Sequence, residues 1–164
     1  MADGAKWIWN WAEDYHGEAV QILDFYHAVE KLGAYAALQY SGLQKRKQWM
    51  DEQKEALLNN EVQNVTQHLK ESNANNKEAQ KALLAAVRYD ENNGSRMQYK
   101  TYLEEGYMIG SGAIESAHRN VVQQRLKLSG QRWSIKGAQQ IVNLRACKKS
   151  NQWNNVIQLI KTAA

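Results

Sequence analysis

The sequence predicts a mainly α-helical chain with a short β element. Proline is absent from all 164 residues. Average usage gives roughly eight in a chain this long, and proline is the residue that breaks helix interiors. Apolar residues recur at spacings of three and four along most of the chain, the pattern of amphipathic helices. One run alone, Ala19-Val-Gln-Ile-Leu23, is short, apolar and β-branched between Gly17 and Asp24, which is the signature of a buried strand.

Residues 6–15 predict the first helix, with Trp7, Ile8, Trp11, Ala12 and Tyr15 at helical spacing. The strand over 19–23 follows. A second helix starts near Tyr26 and carries Val29, Leu32, Tyr35 and Ala36 on one face. Residues 43–72 read as one long polar helix with a thin apolar stripe of Leu57, Leu58, Val62, Val65 and Leu69. Ser72-Asn-Ala-Asn-Asn76 is a turn with capping residues. A helix over 77–90 runs through Ala79, Leu83, Ala86 and Val87 until Glu91-Asn-Asn-Gly-Ser95 interrupts it. A short helix over 96–105 ends at Gly106. Three helices close the chain, at about 113–128, from Ser134 as N-cap to Lys149, and over 151–161. The strand has one candidate partner, the piece Tyr107–Ile109, and orphaned backbone groups in a buried strand are costly.

Three segments result: 1–42 (helix, strand, helix), 43–109 (helical) and 110–164 (basic and helical). The length suits one domain with a real core. The single cysteine, Cys147, excludes a disulfide framework and a cysteine-based zinc site, and it suits a reducing cytoplasm. No run approaches the ~18 apolar residues of a membrane span, and the first residues lack the pattern of a secretory signal.

Charge is divided unevenly. Residues 110–164 hold nine Lys and Arg against one acid, Glu115, a net of +8. Residues 1–109 hold 12 Lys and Arg against 16 Asp and Glu, a net of −4. This polarity points to a polyanionic partner. Glu115 follows a small hinge, Gly110-Ser-Gly112, and precedes His118, Arg119, Val122 and Arg125 at helical spacing. A lone carboxylate among cations suggests a metal ion beside a polyanion; the plainer reading is an acid placed at the positive end of a helix. Asp3, before Gly4 and the first helix, is either a metal ligand or an N-cap worth about 1 kcal/mol. Asp24 and His27, three residues apart, are a metal pair, an orienting hydrogen bond, or a cap beside a half-buried histidine. Zinc needs about four ligands, and no others accompany them.

Several motifs in order resemble the DDE transposases of bacterial insertion sequences, in particular the ISKra-type group. They are Asp3-Gly-Ala-x-Trp-Ile8, Ile22-Leu-Asp-Phe-Tyr-His27, Gly110-Ser-Gly-x-Ile-Glu-Ser-Ala117, Val121-Val-x-x-Arg-Leu-Lys127, Gly130-x-Arg-Trp-Ser134 and Gly137-Ala-Gln139. The stretch 43–105 carries little of the likeness. The resemblance implies an RNase H-like α/β segment, incomplete here, interrupted by a helical insertion. It implies that Asp3 is the second catalytic Asp and Glu115 the catalytic Glu, both metal ligands, with Asp24, His27 and His118 supporting the site. Such enzymes carry their first Asp on an earlier strand, and only Met1 and Ala2 precede Asp3 here. The chain therefore resembles the C-terminal part of a transposase.

The implied chemistry is in-line displacement at a DNA phosphodiester. Two Mg²⁺ or Mn²⁺ ions about 3.5–4 Å apart assist it, held by hard oxygen donors. With two of three carboxylates, the chain alone is expected to be inactive or nearly so. The expected partners are DNA, at transposon ends and target, and a second copy or an N-terminal half. Arg119, Arg125, Lys127, Arg132 and Lys136 are the candidates for phosphate contact, which positions DNA without reading sequence. Trp133 is either a stacking surface for an unpaired base or a core residue at a helix start. The competing reading is a non-catalytic helical DNA-binding protein that regulates transposition.

Overall fold

The structure, a computed structural model, describes residues 1–163. They form two compact units, Met1–Ser111 and Gly112–Ala164. The first contains α1 (Lys6–Tyr15), α2 (Phe25–Gln39), α3 (Leu43–Leu58), α4 (Val62–Glu71), α5 (Lys77–Asn93), a 3₁₀ turn (Gly94–Arg96) and α6 (Tyr99–Glu104). The chain is mainly helical, as its periodicity predicts.

α2 is the central helix of this unit and packs against α5 and α3. Ala28, Leu32, Tyr35 and Ala36 recur at helical spacing and are completely buried. α5 presents Ala79, Leu83, Ala86 and Val87 to the same core, and α4 adds Val62, Val65 and Leu69. Burial of such faces, rather than helix propensity, holds helices of this length together.

The expected strand over 19–23 is not formed among the described residues. Ala19 closes a turn with His16, its N–H donating to the His16 carbonyl at 2.9 Å. Only Leu23 makes a β-bridge, parallel to Ala2. The Ala2 N–H donates to Ile22 O (3.1 Å) and the Asp24 N–H to Ala2 O (2.8 Å). The Leu23 N–H goes to Arg96 O at 2.9 Å and the Phe25 N–H to Ile109 O at 2.8 Å. The buried backbone of 22–25 is thus satisfied by single carbonyls from three segments, so no ladder is needed. The piece Tyr107–Ile109 serves as one of these, by a single bond.

The single helix expected over 43–72 is two. Asn60 adopts φ 66°, a left-handed conformation that ends α3, and α4 starts at Val62. Asparagine tolerates this conformation better than most residues. Its side chain rewards the break: Nδ2 donates to Thr101 Oγ1 (2.9 Å) and Oδ1 accepts from the Lys100 N–H (2.8 Å). The break expected at 91–95 comes later. α5 runs to Asn93 before the 3₁₀ turn, and α6 covers only Tyr99–Glu104 of the helix expected over 96–105.

The second unit opens with α7 (Gly112–His118), passes through a π-helical turn (Arg119–Gln123) and ends its first stretch in α8 (Gln124–Leu126). α9 (Ile135–Lys149) starts at the expected N-cap, with Ser134 Oγ accepting from the Gly137 N–H at 3.1 Å. α10 spans Trp153–Ala163 and packs against α9. None of this unit's described side chains is buried.

Candidate functional site

The parallel bridge of Ala2 with Leu23 sets two carboxylate residues, Asp3 and Asp24, each one position beyond a bridge partner. Their side chains differ sharply in environment. Asp24 is completely buried and caps α2: Oδ1 accepts from the His27 N–H at 3.0 Å. Oδ2 accepts from the Ser111 N–H at 2.5 Å, which fastens the glycine-flanked hinge to the start of α2. His27 Nδ1 lies 3.4 Å from Oδ1. Burial by itself raises this carboxyl. The hydrogen bonds from Ser111 and His27 together outweigh it and hold Asp24 below the ordinary value of 3.8. The arrangement is the cap-and-histidine reading of Asp24-x-x-His27, extended by a third partner 87 residues away.

Gly110 is required for this joint. A Cβ there would stand 2.6 Å from the Tyr26 ring. The hinge backbone therefore passes against an aromatic face that any larger residue would strike.

Asp3 is exposed, and its Oδ1 accepts from the Ala5 N–H at 3.0 Å. It closes a local turn and is not the N-cap of α1, which is Ala5. The Asp3 carbonyl accepts from the Tyr89 hydroxyl at 2.8 Å. Gly4 follows at φ +91°. Asp3 belongs to the first unit.

Glu115 belongs to the second and is exposed in the first turn of α7. His118 Nδ1 lies 3.1 Å from Gln123 Nε2, across the π-helical turn. The candidate phosphate contacts Arg119, Arg125, Lys127, Arg132 and Lys136 are all exposed. Arg125 stands 5.5 Å from the ring centre of Trp133, which is half-buried. This cation–π contact fixes both side chains at the surface.

Among the described residues no three His, Cys, Asp or Glu side chains gather to hold a metal ion. Asp24 spends both oxygens on N–H donors. The metal expectation concerns the complete enzyme implied by the motifs.

Sequence reasoning missed Arg145. Its Nε donates to Val121 O at 2.7 Å, and its Nη2 to Asn120 O and to Gln124 Oε1 at 3.1 Å. A π-helical turn shifts the hydrogen-bond register of the helix and such turns recur at functional sites. The Arg145 fork supplies donors to two carbonyls of that turn and ties α9 to it. Its signal, an arginine eight residues after Gly137 in a polar helix, is indistinguishable in sequence from a solvated charge.

An uncharacterised protein family (UPF0236) matches residues 1–160, and the chain belongs to that family. Comparison with curated proteins and with solved structures gives no match.

Proposed function

We propose that this UPF0236 chain is the C-terminal part of a DDE-type insertion-sequence transposase, and that its second unit holds DNA by the phosphate backbone. The observation that carries the reading is the coincidence of charge with architecture. The unit Gly112–Ala164 is a separate compact body with nine cations and one acid, and the five candidate contacts lie on its surface. The ordered motifs around Asp3, Asp24 and Glu115 supply the link to transposition. In this reading Asp3 and Glu115 are the carboxylates that hold metal in the complete enzyme, within an RNase H-like fold. Asp24, His27 and Ser111 position the hinge that leads into the Glu115 helix. Magnesium or manganese, when bound, supplies charge neutralisation at the scissile phosphate.

A second reading is a non-catalytic DNA-binding protein that regulates transposition. The same cationic unit supports it, because phosphate contacts by Lys and Arg need no metal. Metal separates the two. Nicking of supercoiled DNA that requires Mg²⁺ or Mn²⁺ and disappears in Glu115→Gln, once an N-terminal half supplies the third carboxylate, supports the transposase reading. A metal-independent mobility shift with no nicking, in the presence of any N-terminal half, supports the binder. Absence of both at low salt removes DNA from the account.

A further inference from the structure

A cleft of about 520 Å³ opens between α1 and the C-terminal half of α5, within the ~300–1,000 Å³ of small-ligand sites. It lies wholly in the first unit, and its lining is cationic although that part of the chain is acidic. Lys6, Arg88 and Arg96 accompany a single acid, Glu13. Glu13 is already paired, its Oε1 3.0 Å from Arg96 Nη2. That pair, with a 2.7 Å bond from Arg96 Nε to Gln21 Oε1, holds the guanidinium 4.8 Å from the centre of the Trp9 ring. Trp9 is 5% exposed, and its Nε1–H has no acceptor among the described residues. The indole N–H is itself shielded from solvent, so the reachable donors of the cleft are the guanidinium and ammonium groups of Arg96, Arg88 and Lys6. Asn10 and Asn92 add side-chain amides. Gly4 and Lys6 bring the N-terminus of α1 to the rim, where the helix favours an anion.

We propose that this cleft is a nucleotide-binding subsite. Lys6, Arg88 and the α1 N-terminus hold a phosphate; the Arg96 guanidinium and the asparagine amides hold a base. An inorganic anion uses only the first set, and an apolar ligand only part of the second. The inference rests on the nucleic-acid reading above, since Asp3 directly precedes the Gly4 rim and the nucleotide held here belongs to a strand passing that carboxylate.

The test uses the full chain labelled with ¹⁵N at tryptophan, with Trp9→Phe identifying the Trp9 indole resonance. It is titrated with a deoxynucleoside 5′-monophosphate and separately with inorganic phosphate. The nucleotide is expected to shift the Trp9 resonance, with phosphate binding about tenfold more weakly, equivalent to ~1.4 kcal/mol. Arg88→Gln and Lys6→Gln, both at exposed positions, are each expected to weaken the nucleotide by about tenfold. A Trp9 resonance that does not move, or equal affinity for phosphate and nucleotide, overturns the subsite. Duplex DNA provides the separate arm. Duplex binding with no nucleotide effect overturns the subsite and leaves the DNA reading standing. A nucleotide effect without duplex binding overturns the DNA reading and with it the assignment of this nucleotide to a passing strand.

Discussion

Two buried aspartates in the first unit have opposite titrations, and each yields a prediction. Asp24 is hydrogen-bonded and held low, so it contributes stability above the ordinary carboxyl value of 3.8 and loses it as pH falls through the depressed value. Asp24→Ala strands the Ser111 and His27 N–H groups and is expected to lose about 2–3 kcal/mol at pH 7. Urea unfolding checks this, and the deficit is expected to shrink at acid pH. Asp90 is the reverse. It is 2% exposed with Oδ2 unpartnered among the described residues, and burial pushes its carboxyl up to about 7. The folded state therefore binds the proton more tightly than the unfolded chain. Its contribution is full below pH 3.8, declines towards pH 7 and is gone above it. Asp90→Asn is expected to stabilise the protein by about 1–2 kcal/mol at pH 8, with no gain near pH 4; urea midpoints at the two pH values decide it. Neither titration is legible in the sequence: the cap from His27 is local, but the burial of both residues and the Ser111 donor to Asp24 come from distant segments.

At the scale of elements, what the sequence makes legible is whatever is local. The first helix, the Ser134 cap and the start of α5 at Asn76 depend on neighbours within four residues, and they stand where the periodicity and capping residues put them. The break at Asn60 depends on Thr101 and Lys100, some 40 residues away, so the apolar stripe runs through it without a sign. Asn60→Gly keeps the left-handed backbone and loses both side-chain bonds. Asn60→Val loses both and adds strain, and is expected to cost about 1–2 kcal/mol more than the glycine in thermal unfolding. The run Ala19–Leu23 has strand composition and only one-residue partners, which is why it stays a bridge. In the second unit the π-helical turn depends on Arg145. Arg145→Lys keeps the charge and loses the fork. Amides of residues 119–126 are then expected to exchange with deuterium about tenfold faster; unchanged exchange would show that the turn does not need the guanidinium.

At the scale of the molecule, the charge asymmetry is the property that the sequence conveys best, because net charge needs no contacts to be counted. The boundary between units falls at Ser111 and Gly112, inside the glycine-flanked hinge that the sequence marks. The acidic and the basic parts of the chain are therefore two compact bodies, and Asp24 fastens the hinge from within the first. The anchoring of that hinge was not legible, since Asp24 and Ser111 lie 87 residues apart. The cationic cleft beside Trp9 was hidden for the same reason: Lys6, Arg88 and Arg96 come from three separate elements. The central claim is that the second unit grips DNA by its phosphates, and the salt dependence of duplex binding tests it most directly. For the full chain, log K is expected to fall linearly with log salt concentration. Replacing Arg119, Arg125, Lys127, Arg132 and Lys136 by Gln is expected to flatten that slope by up to about 4.5, at ~0.9 per phosphate contact. A slope that is the same in both proteins, or binding that ignores salt, contradicts the claim.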